Sequence, residues 1–62
     1  MTKREALAQF REHVLPSVRA QYEQDGRVDR VARAEAWCNW TDALCKDRQI
    51  TLKQYESWTN PF

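Results

Sequence analysis

Apolar positions recur along the first third of the chain at helical spacing: Leu7, Phe10, Val14, Val18 and Tyr22. Steps of three and four residues stack such side chains on one helix face. Thr2 and Glu5 precede the stripe as a capping box, a threonine N-cap with a glutamate three residues later that reaches back to it. The stripe runs through Pro16, which removes a backbone donor and presses on the preceding turn. The pattern predicts a long first helix kinked near Leu15-Pro16, or two short helices sharing one buried face. The unbroken period favours the kink. Asp25-Gly26 then ends the helix, with glycine as its left-handed cap.

A second helix is predicted from Arg30 to Lys46, with Asp29 as N-cap and Val28 in the staple position before it. Its apolar line is Val31, Ala34, Trp37, Thr41 and Leu44, with Cys38, Cys45 and Trp40 on the same broad stripe. Asp42 and Lys46 stand in the favourable i,i+4 order. After the turn Lys46-Asp47-Arg48-Gln49 comes the clearest local signal. Thr51 caps, Gln54 completes the box, and Ile50 with Tyr55 forms a hydrophobic staple. A short third helix from Leu52 to Thr59 follows, with Leu52, Tyr55 and Trp58 spaced three apart. Asn60-Pro61-Phe62 stops it, and Phe62 either folds back onto the core or stays free. No segment alternates as a strand does. The expected fold is all-α: one domain over residues 1–62, a small three-helix bundle with short loops.

Composition narrows the class. Apolar residues make up 42% of 62, charged residues 31%, and the formal net charge is +1. That balance argues against disorder and against linker sequence. No window approaches the ~18 apolar residues of a membrane span. No apolar run follows Met1-Thr2-Lys3-Arg4, so no secretory signal is expected. A domain this small buries only about 60% of its unfolded surface. Seven aromatics must therefore compensate for a thin aliphatic supply. A homodimer is one way to cover what remains exposed.

Candidate chemistry is sparse. Cys38 and Cys45 lie two helical turns apart, roughly 10.5 Å by rise, beyond the ~7 Å Cα separation a disulfide tolerates. They read as small core residues in a reducing compartment. Zinc binding with His13 would lack both the usual close cysteine pair and a fourth ligand. The segment Asp47-Arg48-Gln49-Ile50 fails as a calcium loop. With Ile50 at loop position eight, Arg48 falls where glycine is required and Gln54 replaces the bidentate glutamate. There is one histidine, no phosphate-binding loop and no nucleophile motif. No cofactor, metal or catalytic residue is expected, and the reading is non-enzymatic.

Two binding constellations compete. Arg27, Arg30 and Arg33 recur three apart, as a solvated helix face with partners such as Asp29 to Arg33 or as a patch for an acidic protein surface. Trp40 and Trp58 sit amid polar neighbours and are the tryptophans expected to stay partly open. Tryptophan and arginine dominate interface hot spots. Arg27, Arg30, Arg33, Trp40 and Trp58 are thus the candidate protein-binding residues. Alternatively, the last two helices form a helix-turn-helix that offers Thr51, Lys53, Gln54 and Ser57 to DNA. The modest net charge and a turn without glycine count against it.

The stretch Ala36-Trp37-Cys38-Asn39-Trp40-Thr41-Asp42-Ala43-Leu44-Cys45-Lys46-Asp47, with Gln49-Ile50-Thr51, Gln54-Tyr55, Trp58 and Pro61, resembles small uncharacterised helical proteins encoded by tailed phages and prophages. Phe10-Arg11-Glu12 with Val14-Leu15-Pro16 fits the same pattern. The resemblance implies a bacterial cytoplasm as the setting and assigns no activity to any residue. Small phage proteins outside the virion often bind one host protein and block or redirect it, an association rather than a derivation. The function expected is therefore an accessory protein that occludes a host protein. A DNA-binding regulator and a small structural or assembly protein are the alternatives.

Overall fold

Thr2 opens the first helix with the reciprocal cap its sequence encodes. Its hydroxyl accepts from the Glu5 N–H at 3.2 Å, and the Glu5 carboxylate accepts from the Thr2 N–H at 3.1 Å. The computed structural model describes residues 1–62. The chain then runs through α1 (Lys3–Gln9), a π-helical turn (Phe10–Val14) and α2 (Leu15–Tyr22) as one continuous rod. Two further helices follow, α3 (Arg30–Lys46) and α4 (Leu52–Ser57). The rod, α3 and α4 make a small all-α three-helix bundle without strands.

Pro16 neither breaks the rod nor leaves it regular. The Leu15 N–H donates to the Phe10 carbonyl, five residues back instead of four. One extra residue is thereby admitted just before the proline, whose ring would otherwise meet the carbonyl four residues back. Val14 absorbs the distortion at φ −102°. The wider turn also shifts the buried register. Ala6, Phe10, Leu15 and Val18 are buried, whereas Leu7 and Val14 of the regular stripe are only half-buried. Tyr22, the last residue of α2, is 53% exposed. It stands beside Val31 and the small residues Ala32 and Ala36 of α3, which leave one side of its ring open.

The turn after α2 uses Gly26 at φ +81°, three residues beyond the C-cap Glu23 and not as the cap itself. Asp29 caps α3, its carboxylate accepting from the Ala32 N–H at 3.0 Å. The helix then spans the expected Arg30–Lys46. Trp37, Thr41 and Leu44 line its buried face. Thr41 tolerates burial because its hydroxyl donates to the Trp37 carbonyl at 3.0 Å. Val31 is 77% exposed and Val28 57%, so neither the start of the expected apolar line nor the expected staple is buried. Cys38 is exposed, against its reading as a core residue, while Cys45 packs half-buried on the core, and both thiols are free.

Thr51 and Gln54 form the second capping box, and Ile50 is buried with Tyr55 packed against the same core. Helix α4 stops at Ser57 and not at Thr59, because Trp58 turns to extended backbone. Leu52 is 61% exposed. It is the first residue of α4 and, unlike Tyr55 and Trp58 further along, is not packed against the core.

Phe10 is the centre of the molecule and is fully buried. Its ring lies 5.4 Å from Trp37, edge to face, 5.8 Å from Trp40 and 5.4 Å from Phe62. Phe62 therefore folds back onto the core. Asn60 sets up its approach: the side-chain amide donates to the Ala34 carbonyl at 3.3 Å, and its oxygen accepts from the Phe62 N–H at 2.9 Å. The N-terminus is held to α4 and the segment that follows it. Gln54 Nε2 donates to the Met1 carbonyl at 2.9 Å, and Lys3 Nζ to Thr59 Oγ1 at 3.0 Å. No helix is long and apolar enough to cross a membrane.

Candidate functional site

The five candidate protein-binding residues do not form one patch. Arg33 is held inside the fold. Its Nε and Nη2 donate to the two Glu23 carboxylate oxygens, each at 2.7 Å, clamping α3 to the end of α2. Glu23 also accepts from the Asp29 N–H at 3.1 Å. The two side chains are 14% and 6% exposed. The partner of Arg33 is thus Glu23, across the turn, and not Asp29 one helical turn away. This guanidinium holds the Glu23 carboxyl below the ordinary glutamate range, against a desolvation that acts the other way, and Glu23 in turn raises Arg33.

Arg27 and Arg30 are exposed, and neither side chain has an ion partner within the chain. Trp40 is half-buried and packs on Phe10 and Trp37, which makes it a core residue with an open edge. Trp58 is half-buried too, and lines a hollow of about 240 Å³ with Trp37, Cys38 and Tyr55. No arginine borders that hollow. The two groups of candidate residues therefore serve different regions of the surface.

The open surface gathers at the junction of α2 and α3. Four large apolar residues are exposed in the molecule: Tyr22, Val28, Val31 and Leu52. The first three surround one hollow together with Arg27 and Arg30. On one flank, Val28 and Arg30 border a second hollow of about 410 Å³, walled by Pro61 and Phe62. On the other flank, Tyr22 and Val31 border a third of about 300 Å³, floored by Ala32 and Ala36 and edged by Glu35. Sequence reasoning missed them by placing Tyr22 and Val31 on the apolar stripes and Val28 in a hydrophobic staple. The available signal was local polarity, since Arg27, Asp29, Arg30 and Arg33 surround the two valines.

The nucleic-acid candidates fare differently again. The Thr51 hydroxyl accepts from Gln54 N–H at 3.1 Å, and Gln54 Oε1 accepts from Thr51 N–H at 2.9 Å. With Gln54 Nε2 on the Met1 carbonyl, both ends of that side chain are engaged within the fold. Lys53 and Ser57 are exposed, but the helix that carries them has only six residues. Cys38, Cys45 and His13 do not converge, and no group of three metal-ligating side chains is assembled. His13 is exposed on the π turn, 3.9 Å from Glu12.

No family model matches the chain, and neither a curated protein nor a solved structure is significantly similar to it.

Proposed function

We propose that this chain is a non-enzymatic binding module, a phage or prophage accessory protein that engages a protein of its bacterial host in the cytoplasm and occludes it. The observation that carries this reading is the hollow beside Val28. An apolar side chain 57% exposed stands next to the unpaired guanidinium of Arg30, against a wall made by the anchored Pro61-Phe62. An apolar residue flanked by a free arginine suits a partner segment with an apolar tip beside a carboxylate. Arg27 adds a second positive charge nearby. Because the wall is tied down through Asn60, the surface is formed before a partner arrives, which lowers the ordering cost of binding.

The test is a nuclease-treated pull-down from host lysate with tagged wild type, Arg30→Glu and Val28→Asp. Both substituted side chains are exposed and make no internal hydrogen bond, so the variants keep the fold. Recovery of one host protein by wild type, reduced about tenfold or more by either variant, is the expected result. Equal recovery by all three proteins overturns the assignment of this surface.

A further inference from the structure

Between α3 and α4 lies the hollow of about 240 Å³ lined by Trp37, Cys38, Thr41, Tyr55, Trp58 and Asn60. We propose that it binds a flat, uncharged heteroaromatic molecule of one or two fused rings, which presents a hydrogen-bond acceptor to the indole N–H of Trp37.

The donor decides the chemistry. Trp37 is only 2% exposed. Phe10, Trp40 and Phe62 cover it, with ring centres 5.4, 5.8 and 6.5 Å away. A buried indole N–H ordinarily finds an acceptor, yet this one donates to no group of the chain. Every fully enclosed side-chain nitrogen or oxygen of a covered residue has a hydrogen-bond partner. The free N–H of Trp37 therefore reaches the surface. Trp37 borders this hollow and no other, so the N–H opens into it. A donor in an apolar setting favours a ligand that accepts from it.

Two other polar neighbours are already engaged. The Thr41 hydroxyl donates to the carbonyls of Trp37 and Cys38, at 3.0 and 3.2 Å. Asn60 holds the Ala34 carbonyl and the Phe62 N–H, and its Nδ2 stands 3.7 Å from Cys38 Sγ. These bonds form the rim before a ligand arrives, which lowers the ordering cost of binding. Trp37, Tyr55 and Trp58 supply aromatic surface, which suits a flat ring. Size sets its extent: a cavity of about 150 Å³ holds one benzene, so this hollow takes one or two fused rings.

Charge excludes the other ligand classes. No Lys, Arg, Asp or Glu lines the hollow. An ion entering it would lose water without gaining a counter-charge. An indole N–H is also the positive edge of its ring and repels a cation that the ring faces would otherwise attract.

Titration of the full chain with quinoline tests the site at neutral pH, where quinoline is uncharged. Its ring nitrogen is the acceptor. Nitrogen–proton correlation spectra read the three tryptophan indoles separately, and Trp40→Phe and Trp58→Phe assign them by elimination. The Trp37 indole proton is expected to move downfield and saturate with a Kd of about 1 mM or tighter. Cys38→Leu places a larger side chain in the hollow from an exposed position and should weaken binding about tenfold or more. N-methylquinolinium has the same skeleton with a positive charge and no acceptor, and should bind about tenfold more weakly or worse. A Trp37 signal unmoved up to about 10 mM quinoline overturns the proposal. Equal binding by Cys38→Leu does so as well, as does tighter binding of the cation. Val28 and Arg30 border other hollows, so the host-binding test is read independently of this one.

Discussion

Replacing Phe10 with leucine probes the aromatic centre that holds the three helices together. The ring makes contacts at 5.4 Å with Trp37, 5.8 Å with Trp40 and 5.4 Å with Phe62. Leucine keeps the site apolar, so the change of shape alone costs about 1 kcal/mol. Aromatic pairs contribute ~0.5–1.5 kcal/mol each beyond their buried area. Relaxation of the half-buried Trp40 and Phe62 recovers part of that, which leaves a net loss of about 2–3 kcal/mol. A 62-residue chain has only about 3–9 kcal/mol of stability in total. Urea unfolding followed by far-ultraviolet circular dichroism measures the loss. With a slope near 1 kcal/mol per molar urea, the midpoint should fall by about 2–3 M. Leu52→Ala, at a position 61% exposed, serves as the control and should move the midpoint little. A Phe10→Leu midpoint within about 0.5 M of wild type would refute the claim that these rings are the principal tertiary contact.

Three further outcomes follow from particular residues. Leu15→Ala should cost about 2–4 kcal/mol and Val14→Ala about 1 kcal/mol or less in the same urea assay; the reverse order would mean that the rod keeps a regular α-helical register through Pro16. Thr51→Ala removes the N-cap of α4 and should cost about 1 kcal/mol, with loss of amide protection at Gln54 as the local sign in hydrogen exchange. Glu23 has a folded pKa below its ordinary value of 4.5, so its contribution is fully present above that pH and is lost as pH falls through the depressed value. Urea midpoints taken from neutral pH into the acid range should therefore decline for wild type and decline less for Glu23→Gln.

Helix starts were legible because each is written within four residues. Thr2 with Glu5, Asp29 with Ala32, and Thr51 with Gln54 all form the hydrogen bonds their spacing implies. The full span of α3 follows from such local rules. The π turn does not, because its cause is a proline read against a core that the rod must still face. A stripe at regular spacing names Val14, and only the five-residue step from Phe10 brings Leu15 to the same contact. Partners far apart in sequence were equally hidden. Arg33 meets Glu23 ten positions away across a turn, and Asn60 reaches Ala34 from twenty-six positions away. An arginine stripe in the sequence is therefore two free cations and one structural clamp. The open patch of Tyr22, Val28 and Val31 escaped notice because helical period alone cannot distinguish a core face from a face that overruns its core.

Site-specific photo-crosslinking in living host cells tests the binding reading most directly. A photoreactive residue placed at Val28 should capture one host protein, and the same group at Lys53 on α4 should not. Both positions are exposed, so insertion leaves the core untouched. Capture from Val28, lost when Arg30→Glu is added, is the predicted result. Capture from Lys53 with none from Val28 would contradict the account, and would place the working surface on α4.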